Sequence, residues 1–481
     1  MRAAALPLLG AIALLLQACA SAPAYQRPAL ALPASFQEGG LPWAQARPGD
    51  TLPRGDWWTL FDDPVLDRLE AQVNADNHDL RAAAARAAQA LAAVQGAQAA
   101  GAPQLNAGVG GTRSHVSANV VGRSLAGKTT SDFSVPLSLS WELDLWGRVA
   151  SGVSAATADA QAGAADLGAV RLSLQAQTAT AYFQLRALDA EKQLLQQVIA
   201  NDAADVDLTR QRRQVGIASD LELAQSQAQL DSARAQLIDL DIARSAAEHA
   251  LATLTGRPAA TLAAWGQVST LPAPPAVPAV LPSELLQRRP DIAAAERRVA
   301  AANARIGVAQ AAFYPSLSLG GSAGLESSSI ARLAALPSHF WALGPLLAGA
   351  IFDGGARDSR LRQADAAHDA AAEGYRQQTL VAFQEVQDQL AALRLLAEES
   401  LSQGRASAAA AQALALTRDR YRVGTVSYLE VLVAENSDWA ARQRLLDIQR
   451  RRLQASVQLL KALGGGWQPA APPSAAPSSS S

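Results

Sequence analysis

The chain has 481 residues, with 41 basic and 43 acidic side chains and a formal net charge of -2. This balance gives no electrostatic reason to expect a nucleic-acid partner. The single cysteine excludes an intramolecular disulfide, and an aromatic content of 5 % with abundant alanine favours long helices stabilised by many small contacts.

Residues 1–18 are predicted to be a signal peptide. Arg2 precedes an apolar run, Ala3 to Leu16, which is too short and wrongly flanked for a membrane-spanning helix. Cys19 follows Leu-Gln-Ala, which resembles the lipobox of bacterial lipoproteins, and Ala20 after it resembles the signal for outer-membrane sorting. Acylation of Cys19 would contribute about 0.8 kcal/mol of membrane affinity per buried methylene. An ordinary signal peptide with an incidental cysteine is the alternative.

The next segments change from an extended leader to a helix and then to a strand. Residues 19–62 are predicted to be a lipidated leader, rich in proline, alanine and glycine over most of its length. Residues 63 to 101 are rich in alanine and predict one helix that ends before Pro103. Apolar and small residues then alternate from Leu105, which is the period of a strand.

Strands are predicted as two pairs. The clearest strand runs from Phe133 to Leu143 and alternates large apolar with small or polar residues; the later pair lies at 316–325 and about 340–352. Such strands fit a barrel wall between lipid and water. Two hairpins on a soluble core are the alternative. Because four strands cannot close around a lumen, a barrel would require an oligomer.

Two long proline-free segments, Trp146 to Arg213 and Gly354 to Arg422, predict helices. Each would reach about 100 Å if unbroken. Gly216 and Gly424 predict turns, and a further helix is expected to run back from each.

The first return helix, residues 217–254, carries two apolar seams on nearly opposite sides. The first seam is Leu223, Ser226, Leu230, Ala233, Leu237, Leu240, Arg244, Ala247, Leu251 and Leu254. The second seam is Leu221, Ala224, Ala228, Asp231, Ala235, Ile238 and Ile242. A polar stripe between them contains Glu222, Gln225, Gln229, Ser232, Gln236 and Asp239. Two seams and two wet faces indicate a neighbour on each side, as in a ring of helices around water.

An internal repeat organises the chain. Asp79 and Pro103 recur 212 positions later, and Val215 and Glu222 recur 208 positions later as Val423 and Glu430. The repeat favours rings and barrels of even internal symmetry. It divides the chain into a first copy, 63–260, a Pro-rich connector, 261–282, a second copy, 283–466, and a predicted disordered tail, 467–481.

Six segments together resemble the TolC-like outer membrane factor family, in its lipoprotein branch that serves RND-type efflux. They are residues 57–64, 141–148, 281–292, 313–316, 351–355 and 461–467, and the resemblance covers nearly the whole mature chain. It implies a homotrimer with a twelve-stranded outer-membrane β-barrel, four strands per chain, continuous with a long periplasmic α-helical barrel. It also implies a lipid anchor in the outer membrane.

The resemblance further implies an exit duct of a tripartite efflux system. Substrates would pass from an inner-membrane RND-type transporter and a periplasmic adaptor to the exterior, without a cofactor or enzymatic activity. A type I secretion exit channel and a non-conducting coiled-coil envelope protein are the alternatives. The duct itself would be nonselective, and the choice of substrate would belong to the inner-membrane partner, which is a separate protein.

The resemblance assigns the periplasmic tip to the two glycine turns. The expected tip residues are Val215, Gly216, Ser219, Glu222, Arg420, Tyr421, Gly424, Ser427, Glu430 and Val433. In the family an Arg-Tyr pair holds the closed state, and Arg420 and Tyr421 match it. The first copy has Arg212 and Arg213 instead, so only the second copy carries the pair. At the position of Val433 the family often has an aspartate, which forms a ring that narrows the pore. The valine departs from this pattern, so an aspartate gate is not expected here.

A charged ring is a separate hypothesis. Glu430 lies three residues before Val433 and on the same helical face, and Glu222 is its repeat partner. In a trimer both would give six carboxylates, which would favour cations. The alternative is that both glutamates are solvated residues of the helix caps.

Gly122 to Thr129 matches the phosphate-binding pattern G-x-x-x-x-G-K-[ST]. Such a loop requires a helix after it, whereas a strand is expected here. The match is the only support for a nucleotide-driven enzyme or transporter. The five histidines share no metal-ligand spacing.

Overall fold

The computed structural model describes residues 23–30, 55–119, 124–259, 271–275 and 288–467. The chain divides into two compact units. Unit 1 takes its residues from Met1–Ala29, Arg86–Gly163 and Ala294–Arg376, and unit 2 from Leu30–Ala85, Ala164–Ala293 and Gln377–Ser481. Among the described residues, no helix combines the length and the apolar character needed to cross a bilayer.

Helices make up most of the described chain. Helices α1 to α7 are Pro64–Asp76, His78–Ala99, Arg148–Gln214, Asp220–Leu254, Pro290–Ala311, Ala356–Arg422 and Tyr428–Ala462. The predicted long helices, α3 and α6, have 67 residues each, and their return helices, α4 and α7, have 35 each. Helices α2 and α5 have 22 residues each. Elements paired by the two sequence offsets therefore have equal lengths.

The prediction of one helix from residue 63 to 101 is wrong at Asn77, which separates α1 from α2. Asn77 has an extended backbone, with ψ of 127°. Its side-chain oxygen accepts from the Leu80 N–H at 2.9 Å, and its side-chain nitrogen donates to the Leu254 carbonyl at 2.8 Å. One amide thus caps the start of α2 and the end of α4, and these bonds outweigh helix propensity.

Unit 1 contains an antiparallel sheet. Its strands are β1 Gln104–Ala107, β2 Gly110–His115, β3 Thr129–Leu143, β4 Ser316–Ser327 and β5 His339–Ala348. Both β1 and β2 pair with β3, β3 pairs with β4, and β4 pairs with β5. The four predicted strands are confirmed, with the first divided into β1 and β2 and the last ending at Ala348 rather than near residue 352.

Both faces of this sheet are open in the single chain. No residue of β1 to β5 is buried, and on β5 Trp341 is 80 % and Leu343 64 % exposed. A sheet of a soluble domain buries one face against another layer. This sheet therefore requires a surrounding that the described residues do not supply.

Two of the six distinctive segments join the sheet to the helices. The Trp146 ring stacks on Tyr314 with centroids 4.8 Å apart, and its Nε1 donates to the Pro315 carbonyl at 2.7 Å. Asp144 accepts from the N–H groups of Val149 and Ala150 at 2.9 and 2.7 Å. The carboxylate thereby caps α3 at the end of β3.

The main core of unit 2 begins in the segment 57–64. Trp57, Trp58 and Phe61 are buried in a cluster that α3, α4 and α7 complete. Asp63 adds a polar anchor, since its carboxylate accepts from the Tyr182 hydroxyl at 2.8 Å and from Arg186 Nη1 at 2.9 Å. The end of the predicted leader is thus part of a packed core.

Candidate functional site

The two glycine turns have the same backbone geometry. Gly216 and Gly424 have φ of +78° and +81°, the left-handed region that glycine adopts most readily. The Gly216 N–H donates to the Arg213 carbonyl at 3.0 Å, and the Gly424 N–H donates to the Tyr421 carbonyl at 2.9 Å. Each glycine therefore ends a long helix and begins a turn toward its return helix. We call the two turns, with the adjoining ends of α3, α4, α6 and α7, the tip.

The two return helices start differently. Ser219 and Glu222 form a capping box on α4: the Ser219 N–H donates to Glu222 Oε2 at 2.8 Å, and the Glu222 N–H donates to Ser219 Oγ at 3.2 Å. On α7 the Ser427 side chain makes no capping bond. Glu430 is exposed. Glu222 therefore has a structural role that its repeat partner lacks.

Tyr421 is buried where the two turns meet. The Arg212 guanidinium lies 4.6 Å from its ring centre and donates to the carbonyls of Tyr421 and Arg422 at 3.1 and 2.8 Å. The Tyr421 hydroxyl shares a hydrogen bond of 3.2 Å with Thr209 Oγ1. The Arg420 side chain is exposed, while its carbonyl accepts from Thr425. The arginine that meets Tyr421 within the chain is thus Arg212.

The polar stripe of α4 meets α7 on one side of the tip. Gln229 Nε2 lies 3.4 Å from Asn436 Oδ1, which follows Val433 by three residues. Val433 is 63 % exposed, and Glu430 lies on the same face of α7. The contact therefore brings the stripe headed by Glu222 beside the face that carries Glu430 and Val433.

The model of the family described as outer membrane efflux protein matches residues 69–257 and 281–465. The chain belongs to this family. Pyoverdine export outer membrane protein OpmQ of Pseudomonas putida is 34 % identical over 96 % of this chain and 97 % of its own length. Cation efflux system protein CusC of Escherichia coli is 33 % identical over 95 % and 98 %. The solved outer-membrane channel OprN superimposes with a TM-score of 0.85 and 31 % identity, over 94 % of this chain and 100 % of its own.

As an outer membrane efflux protein, the chain resides in the outer membrane and acts as an exit duct for efflux. The family consists of transport proteins. This function agrees with the expectation from the six sequence segments.

Sequence reasoning missed several residues of the tip. Thr209 and Arg212 contact Tyr421 across more than 200 positions of sequence, and neither belongs to a recognised motif. The internal repeat could have identified Arg212, because the offset of 208 aligns it with Arg420. A cluster of charged side chains deeper in the tip, at Asp202, Asp205, Arg418 and Glu435, gave no sequence signal.

The lipobox cysteine and the phosphate-loop match are two further sequence features. Cys19, Gly122 and Arg123 fall outside the described residues. The rest of the phosphate-loop match leads at Thr129 directly into β3. The match therefore lacks the helix N-terminus that would bind a phosphate.

Proposed function

We propose that three copies of this chain assemble into one channel, with their sheets closing a twelve-stranded barrel. The observation that carries the proposal is the sheet of unit 1, in which no strand residue is buried. Its outer strands, β5 on one side and β1 with β2 on the other, each have one edge without a partner among the described strands. Pairing these edges between copies removes all free edges, and lipid covers the apolar face.

The seams of α4 support the same assembly. In the first seam Ser226, Leu230, Ala233 and Leu251 are buried within the chain. In the second seam Leu221, Ile238 and Ile242 are 66 %, 65 % and 64 % exposed. A neighbouring copy packed on the second seam would complete a ring of helices around a water-filled duct.

Each chain would contribute two related copies of one unit, 63–260 and 283–466. The equal lengths of the paired helices at offsets of 208 and 212 support this division. Three chains would then give the ring six quasi-equivalent helical hairpins, and the tip would have two kinds of turn in alternation.

A lipid anchor at Cys19 fits the path of the described N-terminal segment. Arg27 pairs with Glu296 on α5 at 3.0 Å, and the Pro23 carbonyl accepts from Asn303 at 2.7 Å, so the segment follows α5 toward its end at Ala311. Asn303 is about 12 Å from that end. Cys19 precedes Pro23 by four positions in the sequence. An acyl chain on Cys19 would anchor this end of the chain to the outer membrane.

The tip would receive a periplasmic adaptor that links the duct to an inner-membrane RND-type transporter. Val215, Ile217 and Val423 are 69 %, 73 % and 74 % exposed at the ends of the two hairpins, which provides apolar surface for such a partner. The relatives OpmQ and CusC are named for pyoverdine and for cations. Because these cargoes differ in chemistry, we assign the choice of substrate to the transporter rather than to the duct.

The mass and conductance of the purified protein test this proposal. In detergent we expect a particle of three chains, each of 50.0 kDa before removal of the signal peptide. In planar bilayers we expect discrete conductance steps. A monomer, or a trimer that never conducts, would contradict the proposal, and the second result would favour a coiled-coil spacer. Mass spectrometry of the N-terminal peptide tests the acyl group on Cys19 separately.

A further inference from the structure

A charged cluster is enclosed between α3, α6 and α7, above the turns of the tip. Asp202 and Asp205 come from α3, Arg418 from α6 and Glu435 from α7. Arg418 Nη2 lies 2.6 Å from Glu435 Oε1 and 3.4 Å from Asp205 Oδ2. Asp202 is 1 % exposed and Glu435 is 5 % exposed. Two carboxyl groups therefore pair with one guanidinium, and the buried carboxyl group of Asp202 lies near it without a direct bond.

The polar atoms of this cluster are incompletely paired. Among the described residues, neither carboxylate oxygen of Asp202 has a hydrogen-bond partner, and the same holds for Glu435 Oε2 and the hydroxyl of the fully buried Tyr428. If all three acids were ionised, the cluster would hold an excess of two negative charges. Burial of unpaired charge is costly, and the usual relief is uptake of a proton.

In the part of the chain that the structure describes, the neighbouring ionisable groups are engaged elsewhere. On α3 the Arg212 guanidinium is bonded to backbone carbonyls at the turn. On α7 Asp438 pairs with Arg442 at 2.9 Å. On α6 Asp419 and Arg422 form an exposed pair at 3.3 Å. Tyr421 and Tyr428 close the cluster on the side of the turns, with their rings 5.7 Å apart.

We infer that Asp202 and Glu435 form a proton-binding site that holds the three tip helices together when occupied and loosens them when empty. The consequence for channel opening rests on the proposed function, whereas the effect on packing does not. Acidification would thus stabilise the packed tip, and mildly alkaline conditions would favour its separation.

The direction follows from the pKa shifts. Burial, then Asp205, raises the pKa of Asp202 from 3.8 to about 6, although Arg418 opposes the rise. Burial also raises the pKa of Glu435, against the lowering by Arg418, and Asp205 adds to the rise. When the tip opens to water, the pKa values of both groups return to their ordinary range. The packed tip therefore binds protons more tightly than the open one. Its extra stability is complete below about pH 4 and is lost as the pH rises through about 6 and above. For Asp202 alone the ratio of packed to separated tips changes up to roughly 100-fold.

Hydrogen exchange of the full-length protein in detergent tests this inference. After correction for intrinsic rates, we expect amides of 417–431 to exchange more slowly at pH 5 than at pH 8. The variant carrying Asp202→Asn and Glu435→Gln mimics the protonated cluster, and its protection should be high at both pH values. Asp419→Asn, which removes an exposed carboxylate beside Arg418, should keep the wild-type dependence. Asp202→Asn alone serves if the double variant folds poorly, and it should lose the part of the dependence that comes from Asp202 while the part from Glu435 remains.

Equal protection of the wild type at both pH values would overturn the inference, and so would an unchanged dependence in the double variant. Conductance measured on the same samples distinguishes a failure of the proton-site inference from a failure of the proposed channel function. Conducting protein with a pH-independent tip would reject only the proton site. A pH-dependent tip in protein that never conducts would support the proton site and reject the duct.

Discussion

The Arg212 guanidinium lies 4.6 Å from the ring centre of Tyr421, so the first helical hairpin, α3–α4, holds the second, α6–α7, at the tip. The same guanidinium binds two carbonyls at the end of α6. The family resemblance points to Arg420 beside Tyr421, yet Arg420 is exposed in the chain. The contact within the chain therefore joins two hairpins rather than two neighbours in sequence.

Arg212→Ala should loosen the tip. The ring contact and two charged hydrogen bonds together contribute about 2 kcal/mol, which is roughly a 30-fold shift toward separated turns. We expect larger or more frequent conductance in bilayers at neutral pH. Arg420→Ala is the matched control. Within one chain it should change the free energy of separating the turns by less than about 0.5 kcal/mol. A larger effect of Arg420→Ala would instead identify Arg420 as the residue that holds the closed state, through a contact with another chain.

The fold was more predictable from the sequence than the site was. Period-two alternation located β3, and the glycines with positive φ, Gly216 and Gly424, located both turns, because these signals are local. The interruption at Asn77 was missed because its cause is the Leu254 carbonyl, 177 positions away. The acid cluster of Asp202 and Glu435 was missed for the same reason, since only packing brings α3 and α7 together.

Gly324→Ala should prevent correct formation of the sheet. Gly324 faces Pro136 on β3, and a Cβ at this position would lie 2.3 Å from the Val135 carbonyl oxygen. Since backbone cannot give way as a side chain can, we expect a loss of about 3 kcal/mol per chain and little trimer in the outer membrane. Membrane fractionation and electrophoresis without heating measure both.

Gly344→Ala is the control for this substitution. Gly344 lies on β5, and a Cβ there meets none of the described residues within 4 Å. The control should assemble normally. Normal assembly of Gly324→Ala as well would show that β3 and β4 are not paired in this register.

Ile238→Glu should prevent association of the three chains. Ile238 lies in the second seam of α4, where it is 65 % exposed in the single chain. Packing against a neighbour would bury three carboxylates without partners, which is costly. We expect monomers by light scattering in detergent, with unchanged helix content. Gln236→Glu, two residues earlier on the polar stripe, adds the same charge and should leave the trimer intact. Trimers of Ile238→Glu would mean that this seam does not face another chain.

Asp63→Ala should destabilise unit 2 more than loss of any exposed ion pair. It leaves Arg186 and Tyr182 without the carboxylate that they share and removes the cap of α1. Breaking such a buried pair costs about 3–5 kcal/mol. The comparison is Arg81→Ala, which removes an exposed pair with Asp76 and should cost less than about 1 kcal/mol. Thermal unfolding followed by circular dichroism measures the difference, and similar losses for both variants would argue against a stabilising role for the buried network.

The double variant Glu222→Gln with Glu430→Gln tests the carboxylate ring at the tip. Glutamine preserves the capping box of Ser219, so the charge is removed while the helix start is kept. If both side chains line the duct, the preference for cations should fall toward none, because six negative charges are lost per trimer. Reversal potentials in a salt gradient measure this preference. Asp207→Asn, a carboxylate of α3 already paired with Arg210 at 2.6 Å, is the control and should change little. An unchanged cation preference in the double variant would show that both glutamates are solvated residues of the helix caps.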